Sequence, residues 1–264
     1  AQSLTGPDGL VYTDVDDVTA DSAVIVDVGA AGVCFPDLLM LRGEYQMKMP
    51  PPFVPGVEVA GTVRSAPASL GFTAGQRVSG FSLLGGWAEQ VAVPADAVIP
   101  TNDALDDASA VCLLGNYYTM YFALQRRAAL LAGETVLVLG SAGGIGVASI
   151  QIAKAMGARV IAMVHRPEAL EFVAGLGADV VLPLTEGWRQ AALEATGGRG
   201  ADIVVDPIGG ETFDEAVRVL ATEGRLLVIG FAAGGIPTVK VNRLLLRNVS
   251  VVGVGWGEFA RVTP

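Results

Sequence analysis

Hydrophobic and polar positions divide the chain into two stretches with different periods. From Thr135 onward, short apolar runs alternate with segments whose apolar residues recur at helical spacing. Residues 135–139, 159–164, 180–182, 201–206, 226–230 and 249–254 read as six strands. Between them, 147–156, 168–176, 187–196 and 211–220 read as helices. Strand alternating with helix predicts a parallel sheet, and six strands is the number of a doubly wound fold. Before about residue 100 the pattern is β-rich and broken by turns. Residues 22–28, 57–63 and 90–94 are expected strands, and Pro50-Pro51-Pro52 with Pro55-Gly56 is a stiff extended connection. Residues 75–78 and 85–87 are expected turns. No long helical period occurs there, so a small barrel or sandwich-like domain is expected. The pattern turns helical over 106–124, which reads as a hinge between the halves.

One stretch carries chemistry. The strand that opens the second half runs into Gly140-Ser141-Ala142-Gly143-Gly144-Ile145-Gly146 and then into a helix. Strand, glycine turn and helix bring backbone N–H groups and a helix N-terminus up to a pyrophosphate. Side chains at Gly143 or Gly146 would hold the phosphates and the packed strand away. An NAD-selective site places an acidic residue about 20 residues on, at the end of the second strand. Here that strand ends in His165-Arg166-Pro167. A guanidinium there suits a 2′-phosphate, because its fork bonds two oxygens at once, and NADPH is expected over NADH. The alternative is that Arg166 is a solvated loop charge.

Composition narrows the partners. The chain has 264 residues, 52% hydrophobic and 17% charged, with a formal net charge of −10. The pI of 4.5 disfavours nucleic acid and anionic membrane surfaces, which bind clustered Lys and Arg. Mean hydropathy is +0.51, yet no apolar run approaches the ~18–20 residues of a membrane span. The first residues lack the basic and apolar regions of a signal peptide. Cys34 and Cys112 make no disulfide framework, and a reducing cytoplasm is the expected setting.

The first half carries Ala31-Gly32-Val33-Cys34-Phe35-Pro36-Asp37, Arg42-Gly43-Glu44-Tyr45 and Pro55-Gly56-Val57-Glu58-Val59-Ala60-Gly61. Asn116-Tyr117-Tyr118-Thr119, the glycine loop, Asp206-Pro207-Ile208-Gly209-Gly210 and Gly253-Val254-Gly255-Trp256-Gly257 follow in order. With these stretches in this order, the chain resembles the zinc-independent quinone oxidoreductases of the medium-chain dehydrogenase/reductase superfamily, alongside zeta-crystallin. The resemblance implies an α/β protein: a GroES-like catalytic domain over 1–124, a Rossmann domain over 125–264, and an active site in the cleft between. It implies a homodimer, with the edge of the sixth strand as the candidate contact. Members begin with a strand before the equivalent of Ala1 and continue beyond Pro264, so the chain is expected to be truncated at both ends.

Zinc enzymes of the same superfamily hold their metal with Cys, His and a second Cys or Asp. Cys34 stands at the first of those positions, but Val57 stands where the histidine precedes Glu58, and the sole histidine is His165. No metal site is expected. Related quinone reductases carry Asn at the Cys34 position beside the nicotinamide, and Cys34 either takes that place or packs as a small apolar residue. The resemblance adds Thr119, Gly230, Phe231 and Gly253 to the cofactor-binding set of Ser141, Ala142, Gly143, Gly144, Ile145, Gly146, His165 and Arg166. Tyr45 lies where enoyl-thioester reductases carry a candidate proton donor, and is read either as that donor or as an aromatic wall. Asn116 and Tyr117 are candidates for contacting the nicotinamide amide or the substrate, with helix capping and packing as the alternative. The expected reaction is hydride transfer from NADPH to a quinone or conjugated carbonyl. Two alternatives stay open: an enoyl-thioester or alkenal reductase, and a crystallin-like NADPH-binding protein with little turnover.

Overall fold

The computed structural model describes residues 1–19 and 21–263. Contacts divide the chain into two compact units, Ala1–Gly115 and Asn116–Pro264, a division earlier than the 124/125 boundary expected from sequence.

The first unit is built on five antiparallel strands: β1 (Ala23–Ala31), β2 (Glu58–Ser65), β3 (Arg77–Phe81), β4 (Gln90–Pro94) and β5 (Val98–Pro100), in the order β4-β1-β2-β3-β5. Alternation along β1, β2 and β4 turns Val24, Val26, Val59, Val63, Val91 and Val93 into one buried cluster with Val78 and Val98. β3 corrects the expected turn over 75–78, because Arg77 and Val78 already pair with Thr62 and Gly61 of β2. Two short helices, α1 (Phe35–Leu41) and α2 (Asp107–Val111), complete the unit. Pro36 lies in the first turn of α1, where its missing N–H costs nothing. Asp106 caps α2 by accepting the N–H of Ser109 at 2.7 Å.

The helical pattern after Cys112 is realised as wide π turns (Leu113–Tyr118 and Phe122–Arg127) flanking the single turn α3 (Thr119–Tyr121). In the second unit, β6 (Thr135–Val138), β7 (Arg159–Val164), β8 (Val180–Pro183), β9 (Ala201–Asp206), β10 (Leu220–Val228) and β11 (Ser250–Gly253) form one parallel sheet. Its order, β11-β10-β9-β6-β7-β8, is the doubly wound order with the halves meeting between β6 and β9. Helices α4 (Gly144–Ala155), α5 (Leu170–Gly175), α6 (Trp188–Ala195) and α7 (Thr212–Arg218) match the expected segments, and α8 (Val241–Arg247) and α9 (Trp256–Val262) add two that the pattern did not predict. Residues of α4 and α5 pack on one sheet face with Met120 and Leu124. Residues of α6, α7 and α8 pack on the other with Leu137, Ile161 and Val204. Buried on both faces, the central strands read as continuous apolar runs.

Candidate functional site

In the second unit the loops after β6, β7, β9 and β10 all leave the C-terminal edge of the sheet, which is where open parallel sheets bind ligands. The glycine loop joins β6 to α4 and is fixed from behind. Ser141 is fully buried, its hydroxyl donates to the Val138 carbonyl at 2.8 Å, and its N–H donates to the Met163 carbonyl at 3.2 Å. Both donors are therefore spent inside the protein. Ser141 shapes the loop, with its hydroxyl and N–H turned inward.

The glycines of the loop meet different demands. A Cβ on Gly146 would lie 2.4 Å from the Gly140 carbonyl oxygen and 2.5 Å from Ser141 Cα. A Cβ on Gly144 would lie 2.7 Å from both the oxygen and the nitrogen of the Asn116 amide. On Gly143, by contrast, it would meet one atom within 4 Å, the Gly140 oxygen at 3.5 Å. Gly143 is exposed, and its φ of −85° suits any residue, so nothing in the protein itself requires glycine there. The N-terminus of α4 that it begins has no side-chain cap, and the first N–H groups of a helix have no partner inside the helix. An open glycine before an uncapped helix is a place where the backbone N–H groups of residues 142–146 could hold a pyrophosphate.

His165 and Arg166 follow β7 and are exposed. Arg166 has no ion pair or hydrogen bond among the described residues, so its guanidinium is uncommitted. Most of the other arginines are held by carboxylates or carbonyls, as Arg225 is by Glu134 and the Ala128 carbonyl. The β9 loop turns on Asp206, which is buried and accepts the N–H groups of Ile208 and Gly209 at 2.9 Å each. Burial raises its pKa, and those two N–H groups oppose the rise. Phe231 lies against Gly209, where a Cβ would come within 3.1 Å of its ring, so Gly230 and Phe231 join the β9 and β10 loops. Gly253 closes β11, and its carbonyl accepts Arg127 Nε at 3.0 Å.

Tyr117 and Thr119 lie on the helical run that packs on α4. The Tyr117 hydroxyl is hydrogen-bonded to Gln151 of α4, a partner the sequence did not signal. Asn116 makes no hydrogen bond among the described residues and rests on the start of α4. Lys154 of α4 forms an ion pair with Asp179 at 2.8 Å.

In the first unit, Cys34 precedes α1, and its N–H donates to Asp37 Oδ2 at 2.8 Å. Its thiol donates to Glu58 Oε2 at 3.2 Å. Glu58 is 2% exposed. The Gly115 N–H also faces it, and a Cβ on Gly115 would lie 1.9 Å from Oε1. Burial, reinforced by the Glu58 carboxylate, drives the Cys34 thiol far above the ordinary thiol range, so it is a neutral donor and not a nucleophile. Burial likewise raises Glu58 and Asp37. Asp37 Oδ1 is enclosed without a hydrogen-bond partner among the described residues. Tyr45 is half-buried just after α1, with its N–H on the Leu39 carbonyl at 3.2 Å.

Comparison with known proteins gives these features a family. Residues 20–103 match the alcohol dehydrogenase GroES-like domain, and residues 144–264 match the zinc-binding dehydrogenase domain. Quinone oxidoreductase-like protein 2 of Mus musculus is 38% identical over 241 residues, covering 89% of this chain and 68% of its own length. The chain thus spans about two thirds of that relative. A probable oxidoreductase from Mycobacterium abscessus superposes with a TM-score of 0.91 at 63% identity, covering 99% of this chain and 80% of its own. The quinone oxidoreductase of Thermus thermophilus, whose structure was also determined in complex with NADPH, gives 0.83 at 34% identity, covering 99% and 81%. The chain belongs to the quinone oxidoreductase family of the medium-chain dehydrogenases/reductases, a family of oxidoreductase enzymes.

Proposed function

We propose that the protein is a zinc-independent NADPH oxidoreductase that delivers a hydride to a quinone or another conjugated carbonyl. One observation carries the reading: Gly143, which the fold does not require to be glycine, opens the uncapped N-terminus of α4, and the uncommitted Arg166 follows the neighbouring strand. NADPH supplies the hydride when bound. Residues 142–146 bind its pyrophosphate through backbone N–H groups, and Arg166 bonds the 2′-phosphate with His165 beside it. Asn116 donates its free amide to the nicotinamide carboxamide or the acceptor. Tyr117, held by Gln151, and Thr119 line the same helix. Gly230, Phe231 and Gly253 flank the nicotinamide with backbone and an aromatic ring. Cys34 and Glu58 engage each other and leave no thiolate for a metal, and Val57 contributes no imidazole, which supports chemistry without zinc. Tyr45 forms a wall for the acceptor. A homodimer joined at the β11 edge, in the cytoplasm, completes the proposal.

The test is NADPH oxidation with a benzoquinone and a short enoyl-CoA side by side. Faster turnover of the quinone supports the proposal. Faster turnover of the enoyl-CoA replaces it with an alkene reductase in which Tyr45 is the proton donor. Tight NADPH binding with no turnover of either acceptor makes it a cofactor-binding protein.

A further inference from the structure

On the sheet face opposite α4, the helices α6, α7 and α8 border an open cavity of about 350 Å³. Arg189, Arg218, Arg243 and Arg247 line it with Val217 and Leu246. Four guanidinium groups at one cavity are conspicuous in a chain with 17 basic residues and a net charge of −10. Among the described residues only Asp214 and Glu215 pair with them. Asp214 pairs with both Arg218 and Arg243, and Glu215 pairs with both Arg189 and Arg218. Arg247 has no carboxylate among the described residues and donates instead to the Arg218 carbonyl at 3.0 Å. The cavity therefore keeps an excess of two positive charges. Donors also outnumber acceptors, because Arg218 Nε is enclosed without a hydrogen-bond acceptor, its nearest carboxylate oxygen lying at 3.6 Å.

We propose that this cavity is a second anion site, separate from the cofactor loop, that takes a small molecule bearing a phosphate monoester or diphosphate. The guanidinium fork matches phosphate geometry bidentately, where an ammonium would act only as a point charge. A multiply charged phosphate neutralises the excess that the two carboxylates leave. The volume exceeds what a bare phosphate needs and lies at the lower end of the ~300–1,000 Å³ range of small-ligand pockets. The apolar wall of Val217 and Leu246 suits a compact organic body attached to the phosphate.

Inorganic pyrophosphate is the probe, titrated calorimetrically into the full chain saturated with NADPH so that the cofactor loop is occupied, with amide NMR shifts recorded in parallel. One saturable site per chain, with the largest shifts at residues 243–247, is expected. Arg247→Gln should weaken binding about tenfold, about 1.4 kcal/mol. Arg247→Lys, which keeps the charge and loses the fork, should weaken it less. The proposal is overturned by the absence of saturable binding. It is equally overturned if the largest shifts fall at residues 142–146 and Arg247→Gln leaves binding unchanged, since the probe then occupies the cofactor loop. The NMR map reads the wild-type chain, so it decides the matter even if an Arg247 variant fails to fold.

Discussion

Replacing Gly143 and Gly146 by alanine, one at a time, separates the two demands on the glycine loop. At Gly146 the added methyl meets backbone atoms at 2.4–2.6 Å, none of which can swing aside, so the loop itself must move. Overpacking of this kind costs about 1–3 kcal/mol. For a chain of this size that lowers Tm by roughly 2–12 °C, taking about 2–4 °C per kcal/mol. At Gly143 the backbone already has φ −85° and ψ 170°, and the nearest atom lies at 3.5 Å. Alanine there reduces the freedom of the unfolded chain, a gain of about 0.4–1 kcal/mol. Alanine is also a poorer N-cap than glycine, by an amount on the order of the same size. The two offset, and Tm should stay close to that of the parent. The methyl nevertheless projects from the open side of the loop, where a pyrophosphate would approach the helix N-terminus. Each charge-assisted hydrogen bond lost there costs about 1.5–3 kcal/mol. NADPH affinity should therefore fall about ten- to a hundredfold, at about 1.4 kcal/mol per tenfold. Thermal unfolding without cofactor and calorimetric titration with NADPH measure the two effects separately. A Gly143→Ala variant that unfolds as early as Gly146→Ala, or that binds NADPH as the parent does, would refute the reasoning.

Further outcomes follow from other sites. Arg166→Gln should lower affinity for NADPH about tenfold, a loss of one charge-assisted contact, while leaving NADH unchanged; equal losses on both cofactors would remove the 2′-phosphate role. Tyr45→Phe should slow alkene reduction far more than quinone reduction if Tyr45 donates a proton, and should slow both alike if it is a wall, as kcat on the two acceptors would report. Glu134 and Arg225 form a two-pronged pair at 2.7 and 3.0 Å, each side chain 19% exposed. Burial alone would raise Glu134, but the bonds from Arg225 and the Leu131 N–H hold it below its ordinary 4.5. A lowered carboxylate stabilises the fold above its unfolded pKa, and that contribution is lost as pH falls through the folded value. Glu134→Gln should thus cost about 1–3 kcal/mol at neutral pH and flatten the loss of stability below about pH 4.5, measured by urea unfolding across pH.

The parts of the fold legible in sequence were those with a strong period. All six strands of the second unit stand where apolar runs predicted them, because strands buried on both faces admit few polar residues. β10 begins earlier than expected, since Leu220 and Ala221 pair ahead of the irregularity that ends at Arg225. β3 escaped notice because Arg77, Ser79 and Gly80 break its apolar character; Gly80 is required there by the close approach of Val93. α8 follows a Gly- and Pro-containing stretch, and Val241, Leu245 and Leu246 are exposed, so no buried stripe marks it. At the candidate site, the succession of strand, glycine loop and helix was readable from spacing alone. The inward turn of Ser141, the Tyr117–Gln151 bond and the Cys34–Glu58 bond were not. Each depends on which residues far apart in sequence meet in space, and no local pattern encodes that.

The placement of β6 has a consequence for the order in which the protein matures. The strand that presents the glycine loop is flanked on one side by β7, which follows it closely, and on the other by β9, where Val136 pairs with Ile203 and Val138 with Val205. During synthesis at roughly 5–20 residues per second, β6 leaves the ribosome several seconds before β9 exists. In that interval half of its backbone donors and acceptors face water, and Leu139, whose N–H is destined for the Val205 carbonyl, leaves the loop without its anchor. A nascent chain halted before Ala201 should carry the whole glycine motif and still fail to retain a nucleotide, whereas one extended beyond Asp206 gains the strand that sets the loop.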